Sequence, residues 1–136
     1  MNYNLIEKKI SGAKTSTSSS DGLFIGTLFH CRDTAHLQHL KTTSYASHMA
    51  LGSFYDDFTD LIDTLAETLQ SYNGLLNIVI PESCSCDMDG ALAYLKEERM
   101  EIVKYRESYK QTEVQNIIDE IIGLFDSTIY KLAFLK

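Results

Sequence analysis

Residues 54–72, FYDDFTDLIDTLAETLQSY, decide the fold of this chain. Phe54, Phe58, Leu61, Ile62, Leu65, Leu69 and Tyr72 recur at steps of three and four, the period of an amphipathic helix. Asp56, Asp60, Asp63 and Glu67 make a second stripe at steps of four, three and four. One face therefore packs on a core, and the other is strongly acidic.

Working outward, Ser44 is placed to cap this helix and Asn73-Gly74 to stop it, which predicts a span of about 45–72. Upstream, Phe24, Leu28, Cys31 and Ala35 form one apolar stripe, with Phe29, His36 and Leu40 on a neighbouring face. They predict a first helix over about 22–41, capped by Asp21 and ended at Thr42-Thr43-Ser44. Downstream, Leu92, Leu95, Ile102, Tyr105 and Tyr109 predict a third helix over about 89–110, with Asp87 or Asp89 as its cap. Val114, Ile117, Ile118, Ile121, Phe125, Thr128, Leu132 and Leu135 predict a fourth over about 112–135.

The connections thus read short, long, short. Residues 75–88 open with the apolar run LLNIVI and close with PESCSCDMD. No second strand stands elsewhere to pair with LLNIVI, so a buried crossover is expected. The expected fold is all-α: an antiparallel four-helix bundle, ferritin-like, with one long crossover between helices two and three.

Composition agrees with one globular domain. The 136 residues are 44% hydrophobic and 23% charged, with a single proline, Pro81, and seven glycines. No apolar run is long enough for a membrane span, and the polar, serine-rich N-terminus does not read as a secretory signal. The three cysteines, Cys31, Cys84 and Cys86, are an odd set with a tight C-S-C pair and no disulfide framework, which points to reduced thiols. Cys84 and Cys86 supply too few ligands for a closed zinc site. The expected setting is the cytoplasm, or a virion if the chain is phage-encoded.

The net charge of -7 argues against a nucleic-acid binder with a basic face. The charge is uneven, however. Residues 1–20 hold Lys8, Lys9 and Lys14 against Glu7, and 11–20 read SGAKTSTSSS, a composition that cannot bury enough apolar surface to order itself. Residues 1–20 are therefore expected to be a flexible or docking arm on a bundle of 21–136. Tyr94, Tyr105, Tyr109 and Tyr130 fit cores and subunit interfaces better than base stacking.

His30, His36, His39 and His48 lie within nineteen residues, and a tight helical hairpin brings them near one another. Asp63 and Glu67 sit one turn apart further along the second helix. Imidazole with carboxylate suits iron, manganese or zinc. Yet His48 and Asp63 are fifteen residues apart, about 22 Å along an α-helix. One chain cannot bring them to one ion. Two antiparallel copies of the second helix can, so a metal reading implies a symmetric dimer. The plain alternative is a solvated acidic face beside helix-capping histidines.

The run from His36 to Gly74, with its D-T-L-A-E string at 63–67, resembles the core of the Dps family of miniferritins. His36, His48, Asp63 and Glu67 reproduce that family's ligand intervals of twelve, fifteen and four residues, and residues 117–136 resemble its last helix in pattern. The resemblance implies a hollow homo-oligomer, a dodecamer built from dimers. It implies ferrous iron oxidised at sites shared between twofold-related subunits, with His36 and His48 from one subunit and Asp63 and Glu67 from its mate. It also implies that the Lys8, Lys9 and Lys14 arm corresponds to a DNA-binding tail.

Two departures stand out. The acidic ligand expected four residues after the second histidine is replaced by Gly52, with Asp56 as an unaligned substitute. The expected tryptophan-asparagine after the first histidine is Leu37-Gln38. These departures open a second expectation: a diverged, phage-encoded relative that reuses the bundle as a virion ring or head-tail connector contacting other virion proteins. Ferroxidase-type activity is expected only of an intact site.

Overall fold

The computed structural model describes residues 16–82 and 90–136. Four helices account for most of them: α1 (Ser16–Lys41), α2 (Tyr45–Asn73), α3 (Ala91–Ser108) and α4 (Thr112–Phe134), with no strand among the described residues. The Lys8, Lys9 and Lys14 arm, Cys84, Cys86, Asp87 and Asp89 lie outside the described residues.

The apolar stripes become the core. Phe24, Leu28, Cys31 and Ala35 of α1 are buried, as are Phe54, Phe58, Ile62, Leu65 and Leu69 of α2. Leu95 and Ile102 of α3 join them, with Val114, Ile118, Ile121, Phe125 and Thr128 of α4. Phe58 sits at its centre, with Phe54 and the edge-on ring of Phe125 at centroid distances of 5.2 and 5.4 Å. Tyr72 and Leu135, expected on these stripes, are 46% and 48% exposed because they stand at helix ends beyond the core.

Contacts at the helix ends fix the topology. Asn73, at the end of α2, donates to Asp21 near the start of α1, while His48 of α2 meets His39 of α1, so α1 and α2 are antiparallel. Tyr109, just past α3, also donates to Asp21. The end of α3 therefore shares the end of α2, and the two run parallel. α4 returns against both, and its Arg106–Asp119 and Arg99–Asp126 ion pairs fasten it to α3. This is a four-helix bundle with one crossover that runs the length of the molecule.

Three local expectations change. α1 starts at Ser16 rather than near residue 22, and Asp21 lies inside it. That carboxylate is buried and does not cap, because Tyr109 Oη and Asn73 Nδ2 donate to its two oxygens at 2.6 and 2.8 Å. Secondly, α3 begins after Gly90, which has φ 97° and makes no side-chain cap bond. Thirdly, the described part of the crossover, residues 75–82, is not buried. Leu75 is 89% exposed and Ile80 56%, with Ile78 and Val79 also open. The crossover lays its backbone on α1. A Cβ on Gly22 would fall 2.0 Å from the Asn77 carbonyl oxygen, and one on Gly26 would fall 1.8 Å from that of Val79. With the backbone pressed onto two glycines, five of the six residues 75–80 are exposed.

Candidate functional site

The α1–α2 turn is three residues, Thr42 to Ser44. Ser44 Oγ accepts from Ser47 N and starts α2 as expected. So tight a turn sets the last turn of α1 beside the first turn of α2. His39 and His48 stack there, with ring centroids 3.7 Å apart and planes 20° from parallel. His39 Nδ1 donates to the His48 carbonyl at 2.6 Å, and His48 Nδ1 donates to the His39 carbonyl at 2.9 Å. A carbonyl can only accept, so both Nδ1 atoms carry hydrogen. In the neutral tautomer each Nε2 is left with a free lone pair. Anchoring Nδ1–H on a backbone carbonyl is also how proteins orient imidazoles that bind metals. The His39 carbonyl, in the last turn of α1, would otherwise lack a helical partner.

Gly52 bears directly on this pair. A Cβ there would lie 3.1 Å from His39 Cε1 and 3.2 Å from its Nδ1. The His39 ring therefore occupies the space in front of Gly52 where an acidic side chain would start. His36 stacks on Tyr55 at 4.0 Å, and Tyr55 meets the edge of His39 at 5.4 Å. His36, His39, His48 and Tyr55 thus form one cluster of rings at the turn end of the hairpin.

The sequence pairs His36 with His48, and the structure brings both into this cluster. It adds His39 as the ring in contact with His48, and Tyr55 as the platform under His36. The signal for His39 was Gly52: a glycine mid-helix opposite a histidine makes room for its ring.

Asp63 and Glu67 are not brought to the cluster within the chain. Both are exposed, and neither makes an ion pair or side-chain hydrogen bond among the described residues. Asp56, Asp57 and Asp60 share that condition. α2 contains five carboxylates and no lysine or arginine. Within one chain, no three His, Cys, Asp or Glu side chains among the described residues form a metal-holding group.

A second polar group lies between α1 and α3. Cys31 is fully buried and reduced, and burial, followed by Glu98, pushes its thiol well above the ordinary range. The buried Tyr94 hydroxyl has no hydrogen bond of good geometry among the described residues and is likewise pushed up, chiefly by burial. A thiol so placed is inert rather than nucleophilic. At the other end of the bundle, Tyr109 is shifted upward by burial and by its bond to Asp21. That knot joins three helix ends and has no free donor set.

A family profile covers residues 39–132, more than half of the chain. This chain belongs to the DUF5856 family. That family is described as one of unknown function. No curated protein and no solved structure matches the chain. The DUF5856 span takes in His39, His48, Gly52, Asp63 and Glu67, and it leaves His36 outside. No helix among the described residues is long and apolar enough to cross a membrane.

Proposed function

We propose that this chain is a ferritin-like iron-handling protein that assembles through twofold-related pairs and takes up ferrous iron between copies. The observation that carries the reading is the His39–His48 pair. Both rings are anchored through Nδ1 and leave Nε2 unused, on a hairpin whose other half exposes the uncompensated Asp63 and Glu67. Imidazole nitrogens with carboxylate oxygens suit iron, with zinc or manganese as alternatives. Separation along α2 requires that the two halves of a site come from different copies. His36 and His48 from one copy would face Asp63 and Glu67 from the other, and His39 would stand where Gly52 offers no ligand.

Native mass spectrometry with metal analysis of the purified chain tests this. A metal-loaded dimer-based oligomer, a ring or a dodecamer, is expected. His48→Ala and Asp63→Ala should each abolish occupancy and ferroxidation while leaving the helical content unchanged. An assembly that stays free of metal after exposure to ferrous iron would sink the reading.

A second reading has its own observation. The His39 ring fills the place of the missing acid, and both imidazoles already bridge α1 to α2. On that reading the cluster is a structural clasp and the protein is architectural, as in a virion ring or connector that contacts other virion proteins. It would then assemble without metal, and deleting residues 2–18 should impair assembly. DNA association through Lys8, Lys9 and Lys14 adds to either reading. Three charges per chain give weak, salt-sensitive binding that becomes useful only when multiplied over an oligomer. Replacing all three with alanine should abolish DNA retention.

A further inference from the structure

The crossover presents a free backbone edge to solvent. Its contacts repeat every second residue: Asn77 O lies over Gly22, Val79 O lies over Gly26, and Val79 N donates to Gly22 O at 3.3 Å. Gly22 to Gly26 spans about 6 Å of helix rise. Two residues of extended chain span about 6.6 Å. The match means that residues 77–79 run as extended chain along α1, with the N–H and C=O groups of Asn77 and Val79 turned toward the helix. By the alternation of a strand, those of Leu76, Ile78 and Ile80 turn away from it. Leu76 N is satisfied by Gln70 Oε1 at 3.1 Å. Ile78 N and Ile80 N have no hydrogen-bond partner among the described residues.

Nothing on this edge discourages pairing. Residues 75–80, LLNIVI, contain no charge and no proline in a chain of net charge -7, and Pro81 closes the run. Proteins usually blunt an exposed edge with lysine, proline or a bulge. Here Leu75, Ile78, Val79 and Ile80 are instead left open, with Leu23 of α1 43% exposed alongside Gly22.

We propose that this edge is a self-association surface, and that its occupant is the same segment of a second copy, paired antiparallel about a twofold axis at Ile78. The two Ile78 residues exchange both N–H···O bonds. Each Ile80 N–H donates to the partner copy's outward C=O at position 76, whose own N–H is already held by Gln70. Every free outward N–H is thereby satisfied, the Ile80 C=O alone stays with solvent, and exposed isoleucines meet across the dyad. A side-chain-covered helix cannot fill this role, because the edge demands backbone donors and acceptors. The N-terminal stretch 3–10, also rich in apolar residues, carries Glu7, Lys8 and Lys9. The pairing needs no imidazole or carboxylate, so it forms in chelator and is separable from the metal reading.

The test uses the full chain in chelator, by analytical ultracentrifugation and amide hydrogen exchange. A dimer is expected, with Ile78 and Ile80 amides protected only as protein concentration rises. Because both copies are acidic, added salt should tighten it. Ile78→Lys should weaken dimerisation by about tenfold or more, since a charge at the dyad meets its own copy. Ile78→Pro, which keeps the site apolar but removes the donor, should do the same. Circular dichroism of each variant reports folding, and the exchange experiment on the unmodified chain decides the matter if either variant unfolds. Ile78 and Ile80 amides that exchange freely at every concentration would overturn the proposal. So would protection that is independent of concentration and vanishes when residues 2–15 are deleted, since the arm would then be the occupant.

Discussion

The outer face of α2 and the α3–α4 pair treat charge in opposite ways. α3 carries four basic and four acidic residues and commits two of its arginines to aspartates of α4. The Arg106 guanidinium holds the Asp119 carboxyl below its usual range. α2 carries five carboxylates, no lysine or arginine, and no ion pair among the described residues. Like charges one turn apart weaken a helix, so α2 keeps its acidic stripe at some cost in stability. The contrast teaches that the charge on α3 serves the fold, whereas the charge on α2 does nothing for it among the described residues. On the proposed function, a cation held between copies takes up that charge.

The largest expected effect tests what offsets that cost. Phe58→Ala removes the ring between Phe54 and Phe125 and should lower the unfolding free energy by about 3–5 kcal/mol in urea titrations. A loss well under that would mean that the inner face of α2 does not carry the helix. Next comes Gly26→Ala, which drives a Cβ into the Val79 carbonyl and should destabilise by about 1–3 kcal/mol. Gly123→Ala, with nothing within 4 Å of the added Cβ, should stabilise by about 0.5–1 kcal/mol. Opposite signs for two helical glycines would confirm that the crossover is seated on α1.

Smaller again is the direct comparison of the two charged regions. Asp60→Asn on α2 should leave stability unchanged or raise it, by about 0.2–0.5 kcal/mol for each relieved like-charge pair. Asp126→Asn on α4 should lower it slightly by releasing Arg99. A fall in both would erase the contrast. The smallest effect concerns Glu98, whose carboxyl is raised by burial and then by Glu101 and Glu97. Its folded-state value lies above the unfolded one, so its contribution is fully present at low pH and is lost as pH rises through the raised value. Glu98→Gln should therefore melt slightly higher than the parent at neutral pH and equally below pH of about 4.

Much of this was legible in the sequence, for reasons specific to each element. The period of Phe54 to Leu69 could only bury one side of a helix, and Ser44 and Gly74 could only bound it. The arithmetic of fifteen residues between His48 and Asp63 excluded an intramolecular site before any coordinates. The hydropathy of LLNIVI points to burial, but the segment is held by its backbone and not by its side chains. The two glycines that receive its backbone lie over fifty residues upstream. Asp21 has the residue type of a cap, and nothing local reveals that its donors, Asn73 and Tyr109, come from the far ends of two other helices.

The sequence by itself determined the number of helices, their buried faces and the one long connection, because these follow from local periodicity and from the residues that start and stop a helix. Tertiary structure alone decided that His39 rather than an acid stands before Gly52, that Asp21 is a buried knot, and that Ile78 looks outward. Those outcomes depend on which distant backbones come within a few ångströms of each other, and no local pattern encodes that distance.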